Sequence, residues 1–183
     1  MISKVLYILG QLSDDDADWL GRAGRRLRLD PGDILIERGV RLEELYFVLD
    51  GELQVLSPHH EEIARVGPGD LLGELSLLDD NPTSADVIAR TGVQVLSVSS
   101  ACISDRMTSD PGFATRFYKA ISMLLALRMR ATLSRFGAGD APQTVVNIPA
   151  ADAEGHDEAH ERAAQRFERM LRSLWGIGDS RRS

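Results

Sequence analysis

The thirteen residues Gly73-Glu74-Leu75-Ser76-Leu77-Leu78-Asp79-Asp80-Asn81-Pro82-Thr83-Ser84-Ala85 have the order of a ligand loop. A glycine opens the stretch and an acid follows at once. A short apolar run then leads through a polar turn to a proline and two hydroxyls. That order suits a chain wrapped around a small anion. Elsewhere the chemistry-bearing residues read differently. His59-His60-Glu61-Glu62 has metal-ligating types, but adjacent residues on a strand or turn point apart and no third ligand is evident. We read it as a solvated hairpin tip after Pro58. His156 and His160 are spaced i, i+4, yet Asp157 is a good helix cap that leaves His156 outside the helix. Asp14-Asp15-Asp16 and Asp79-Asp80 suit caps and polar turns, without calcium-loop spacing. No metal site is expected.

Cys102 has no histidine or other base near it in sequence, no serine sits in a nucleophile elbow, and no glycine-rich loop carries a P-loop lysine. The sequence therefore predicts no enzyme and no required cofactor. Arg22, Arg25, Arg26 and Arg28 form a basic cluster in which Arg26 and Arg28 alternate with Leu27 and Leu29, so they share the solvent face of a strand.

The chain has 183 residues, room for one domain of ordinary size plus further elements. Its net charge of −7 argues against a nucleic-acid surface, which must attract phosphates. A single cysteine permits no internal disulfide and fits a reducing cytoplasm. The apolar start, Met1 to Gly10, is short and lacks a cleavage pattern, so no signal peptide is read there. No apolar run is long enough to cross a bilayer.

Ser13 followed by three aspartates is a helix start, and Gly24 should end that helix. From Arg25 to Ser100, short apolar runs are broken by Gly or Pro at Pro31-Gly32, Gly39, Gly51, Pro58, Gly67-Pro68-Gly69, Pro82 and Gly92. Many short strands at that spacing suggest an all-β roll, sandwich or barrel. The expected strands are 25–29, 33–36, 44–50, 52–56, 61–66, 86–89 and 93–98. Asp50-Gly51 marks a hairpin turn. Helix resumes after Asp110-Pro111, a cap followed by a proline suited to the first helical position.

The long helix 112–136 carries two apolar stripes. Phe113, Phe117, Ala120, Leu124, Leu127 and Ala131 form one, and Ile121, Leu125, Met129 and Thr132 its neighbour. Two stripes predict one face on the domain and one on something else. Homodimerisation is expected through Phe117, Leu124, Leu127 and Ala131. Residues 137–156 read as a flexible linker, and 157–176 as an amphipathic helix with Ala159, Ala163, Phe167, Met170, Leu171 and Leu174 on one side. That helix either packs on its own domain or folds on a target.

Several pieces in order resemble the cyclic nucleotide-binding domain family. Pro31-Gly32-Asp33-Ile34-Leu35-Ile36-Glu37-Arg38-Gly39 is similar to its first hairpin, and Leu45-Tyr46-Phe47-Val48-Leu49-Asp50-Gly51-Glu52-Leu53 to its strand–glycine–strand signature. Gly67-Pro68-Gly69-Asp70-Leu71-Leu72-Gly73-Glu74 leads into the stretch that resembles the phosphate-binding cassette. The resemblance covers about 8–136. It implies a mainly β fold with flanking helices, an eight-stranded β-roll of the jelly-roll kind followed by a long helix, with the 157–176 helix as an addition.

By the same resemblance Glu74 accepts from a ribose hydroxyl, and Gly73, Leu75 and Ser76 offer backbone amides. Ser84 and Ala85 match the pair after the phosphate arginine, and Thr132 falls where some relatives contact the purine. Cyclic AMP or cyclic GMP is the implied ligand. Thr83, however, stands where the family has arginine, which meets phosphate with a planar, permanently charged fork. Losing a buried charge partner costs roughly 3–5 kcal/mol, on the order of a thousandfold in affinity. Arg65 and Arg90 are the candidates to replace it.

The expected function is a stand-alone regulatory or sensor module with output to an unidentified protein partner. The alternative is a ligand-free interaction module that works by self-association. Too few residues follow 137 for the helix-turn-helix that some relatives carry, so no DNA-binding module is expected.

Overall fold

The computed structural model describes residues 9–79, 81–136, 161–170 and 172. The expected linker 137–156 and most of the expected 157–176 helix outside 161–170 lie beyond them. Helical residues 9–11 lead into α1 (Asp14–Ala23), which starts where Ser13 and Asp16 form a capping box. The Ser13 hydroxyl accepts from the Asp16 amide, and the Asp16 carboxylate accepts from the Ser13 amide, satisfying two donors that the first turn leaves free.

Eight strands follow: β1 (Arg25–Leu29), β2 (Ile34–Ile36), β3 (Glu44–Asp50), β4 (Leu53–Leu56), β5 (Glu62–Val66), β6 (Leu71–Leu72), β7 (Asp86–Ala89) and β8 (Val93–Ser99). They pair antiparallel in two four-stranded sheets, ordered β1-β8-β3-β6 and β2-β7-β4-β5. Four helices complete the described chain: α2 (Glu74–Asp79) between β6 and β7, α3 (Ser100–Ser109), α4 (Pro111–Phe136), and α5, residues 161–170. Among the described residues no helix is long and apolar enough to cross a membrane.

Two cores share the first sheet. Tyr46, Val48, Val93 and Val95 face the second sheet, where Ile36, Leu53, Val66, Val87 and Ala89 meet them. Leu45, Phe47, Leu49, Leu96 and Val98 point the other way, toward the helices. Period two puts successive side chains on opposite faces, so a strand between two cores must be apolar throughout. The run Leu45-Tyr46-Phe47-Val48-Leu49 is such a strand, and all five residues are buried. At the β3–β4 turn Gly51 has φ +84, and a Cβ there would lie 2.2 Å from the Gly92 carbonyl oxygen. The glycine signalled by Asp50-Gly51 is thus required both for its backbone angle and for space.

The structure corrects the reading of the long helix. Phe117 and Leu124, expected at a dimer seam, are fully buried in their own domain with Phe113, Ala120 and Ile121. Each large side chain so buried contributes about 1.5–3 kcal/mol, which fixes the first half of α4 to the roll. Leu127 is half-buried and Ala131 exposed. Among the described residues of α4 the large apolar side chains left exposed are Tyr118, Met129 and Leu133, which share one stripe, while half-buried Leu125 packs against the helix-side core. A second correction is α3, which the sequence pattern does not signal.

The described part of the tail is docked. Ala163 and Met170 are fully buried in the helix-side core with Leu9 and Leu12. Arg166 donates to the Leu9 carbonyl at 3.0 Å and to Asp14 at 2.7 Å, and Arg169 lies 3.1 Å from the other Asp14 oxygen. Of the two readings for this helix, 161–170 takes the packed one.

Candidate functional site

The cassette begins at a backbone position only glycine fills. Gly73 has φ +89, and a Cβ on it would lie 2.6 Å from the Glu44 carbonyl oxygen. This sharp corner turns β6 into α2, with Glu74 as its first residue and Leu75 and Ser76 following in the first turn. First-turn amides have no acceptor within their own helix. The Ser76 hydroxyl donates to the Asn81 carbonyl at 3.3 Å, closing the polar turn onto the helix. Leu75 and Leu78 are about half exposed, while Leu77 packs against the helix-side core.

Thr83 does a different job from that of an arginine. Its hydroxyl lies 2.6 Å from the Glu37 carbonyl, to which it donates, and accepts from the Val40 amide at 3.2 Å. Its backbone takes part as well: the Thr83 amide donates to the Val40 carbonyl at 2.9 Å, and its carbonyl accepts from the Gly39 amide at 2.8 Å. Three residues on, Asp86 accepts from the Arg38 amide at 2.8 Å. The segment 83–86 is thereby stitched to the 37–40 turn, and the Thr83 hydroxyl is committed to the backbone. Ser84 is exposed and Ala85 half-buried on the approach to β7.

Neither candidate substitute reaches the cassette. Arg65 pairs with Glu62 at 2.5 Å, and Arg90 lies 3.0 Å from Glu52 and 3.7 Å from Glu62. Both serve the carboxylates of the second sheet. In the basic cluster, Arg25 is paired with Glu44 and Arg26 donates to Gln94, so these two side chains brace the first sheet.

Glu74 is buried, and its partner is Arg128, on α4, a residue sequence reading does not single out. One guanidinium nitrogen, Nη1, lies 2.5 Å from Glu74 Oε1. The other, Nη2, donates to the Leu71 carbonyl at 2.5 Å and stands 3.9 Å from Asp70 Oδ1. The available signal was an arginine set within the apolar run Leu124 to Met129, where a charge requires a buried or solvent-facing reason. Thr132, the expected purine contact, is exposed one turn further along, and its hydroxyl donates to the Arg128 carbonyl at 2.9 Å. The structure thus brings together Gly73, Glu74, Leu75 and Ser76 with Arg128, and ties Thr83 to another loop.

Residues 26–110 match the family model of the cyclic nucleotide-binding domain. A cyclic nucleotide-gated potassium channel of Mesorhizobium japonicum is 34% identical over 98 residues, which is 54% of this chain and 27% of the channel. A cGMP-dependent protein kinase of Plasmodium berghei is 30% identical over 88 residues, 48% of this chain and 10% of the kinase. The chain thus spans only about a quarter and a tenth of those proteins. Among solved structures, the N-terminal domain of a transcriptional regulator from Streptomyces coelicolor superimposes with a TM-score of 0.57 at 29% identity, covering 76% of this chain and 96% of that one. A cyclic nucleotide-binding domain from Methylobacillus flagellatus gives a TM-score of 0.68 at 21% identity, covering 78% and 85%, and shares the fold. The order of strands, the glycine corner and the matched segment agree in giving residues 26–110 the fold of a cyclic nucleotide-binding domain.

Proposed function

We propose that the domain acts as a regulatory module whose output is contact with other proteins, and that it does not take cyclic AMP or cyclic GMP in the micromolar range. The carrying observation is Thr83: the position expected to hold a phosphate charge presents a single hydroxyl, and that hydroxyl closes the 37–40 turn. A neutral donor already in use supplies little of the roughly 3–5 kcal/mol that a buried charge partner provides. Calorimetric titration of the unmodified protein with each nucleotide is expected to show millimolar binding at best. A micromolar dissociation constant would overturn this reading.

Output through a second copy of the chain is the favoured route, with an unidentified protein partner as the next link. The supporting feature is the exposed stripe Tyr118, Met129 and Leu133 along α4, a helix about 39 Å long. Light scattering at micromolar concentration should report a dimer. Met129→Glu should give a monomer while changing monomer stability by no more than about 0.5 kcal/mol, the range for an exposed site. A monomer from the unmodified protein would sink the dimer. The cytoplasm is the proposed compartment, on the strength of the single cysteine.

A further inference from the structure

Asp70 and Glu74 are both buried, four residues apart across the glycine corner, and the Leu71 carbonyl lies between them in sequence. Two carboxylates taken out of water this close repel one another and need a cation or protons. The acceptors converge on one planar group: Glu74 Oε1 and the Leu71 carbonyl oxygen each lie 2.5 Å from a terminal nitrogen of Arg128, with Asp70 Oδ1 at 3.9 Å. Two separate nitrogens of one planar fork each meet a different acceptor, an arrangement that suits a guanidinium better than the single nitrogen of an ammonium. Asp70 is itself held rigid, its other oxygen accepting from the Gly67 amide at 2.9 Å and its backbone bridging to Val48.

We propose that this cradle is a guanidinium-binding subsite, filled from within the chain by Arg128, and that it latches the second half of α4 onto the cassette without any ligand. The first half of α4 is fixed by Phe113, Phe117, Ile121 and Leu124. Beyond Leu124, Leu125 and Leu127 are only half-buried and Met129 to Leu133 are exposed. Among the described residues of that stretch, the Arg128 fork reaches both the Glu74 carboxylate and the Leu71 carbonyl, so the latch sets whether this half of the helix stays down. Arg128 here is a positioning residue. The inference rests on the regulatory reading of the domain, and it holds whether or not a nucleotide binds.

Hydrogen exchange on the full chain, with no nucleotide present, tests it. In Arg128→Ala, amides of 125–133 and 71–79 should exchange at least about tenfold faster, while β3 and β8 keep their protection. Unchanged exchange, or an equal acceleration everywhere, would overturn the latch. Methylguanidinium at millimolar concentration should restore protection to Arg128→Ala, and methylammonium should not. Failure of methylguanidinium, or equal rescue by both, would overturn the subsite. Arg128→Lys, which keeps the charge and loses the fork, should remain mostly open. If it is as protected as the unmodified protein, charge alone suffices and the guanidinium assignment fails. Nucleotide calorimetry is scored separately, so failure of the nucleotide prediction and failure of the latch are distinguishable.

Discussion

Replacing Asp16 by alanine is expected to lower the unfolding free energy by roughly 3 kcal/mol, at the lower end of the range for breaking a buried ion pair. The Asp16 side chain is 1% exposed. It accepts from Arg116 Nε at 2.7 Å and Nη2 at 3.0 Å, faces Arg106 at 3.5 Å, and completes the capping box with the Ser13 amide at 2.8 Å. The alanine variant leaves two guanidinium groups without this partner and uncaps α1. Water reaches both arginines, which is why the lower end applies. Arg106 also retains Asp110 at 3.6 Å and the faces of Trp19 and Phe113 at 4.7 and 5.0 Å.

The same residue sets an acid limit. Burial pushes the Asp16 carboxyl up, but the hydrogen bond from Arg116, those from the Ser13 amide and hydroxyl, and the Arg116 charge together hold it below its ordinary value of 3.8. A carboxyl lowered in the folded state binds fewer protons there than in the unfolded chain. Its contribution is therefore complete above about pH 4 and fades as pH falls through the folded value. Urea unfolding across pH 2–6 should show this decline, and Asp16→Asn should flatten it. A loss below about 1 kcal/mol for Asp16→Ala at neutral pH would mean that the arginines find equal partners elsewhere.

Replacing Thr83 by arginine is expected to create measurable affinity for cyclic AMP or cyclic GMP, but only part of the thousandfold that the charge should supply. Two opposing effects limit the gain. The substitution removes the hydroxyl's bonds to Glu37 and Val40, each worth about 1 kcal/mol. Glu74, expected to receive the ribose hydroxyl, remains engaged by Arg128. The single variant should thus gain roughly ten- to a hundredfold, and Thr83→Arg combined with Arg128→Gln should approach the full thousandfold. Calorimetry on both variants decides the matter. Equal gains would mean Arg128 does not compete for Glu74. No heat from either would mean the roll encloses no nucleotide pocket.

Strands were largely legible because glycine and proline punctuate them. Runs 25–29, 44–50 and 86–89 match the observed bounds, and other expected strands differ by a residue. β6 escaped because two leucines are too few to show an alternation. α3 escaped because β8 runs into it without a breaker, and its one buried residue is Ile103. The α4 error has a different origin. Apolar residues cover so much of that helix that periodicity finds stripes without saying which one faces inward, and the two phenylalanines decided it by volume. In the site, Gly73 and Glu74 were legible from their order. Arg128 was not, because its partners lie 54 and 57 residues earlier, at Glu74 and Leu71, and no local pattern encodes such a pairing.

The anchor of α5 bears on the order in which the chain acquires its structure. Arg166 meets Asp14 across 152 residues and Leu9 across 157, whereas each sheet closes within the span of β1 to β8. During synthesis the N-terminal part emerges first, and contacts of such long separation form last. The roll and α4 can therefore assemble while Leu9 and Leu12 still lack the cover of Ala163 and Met170. For that interval the nascent domain shows an apolar face beside the acidic first turn of α1. Chaperones that hold such faces would meet this protein there, and docking of α5, rather than closure of the roll, would complete the helix-side core.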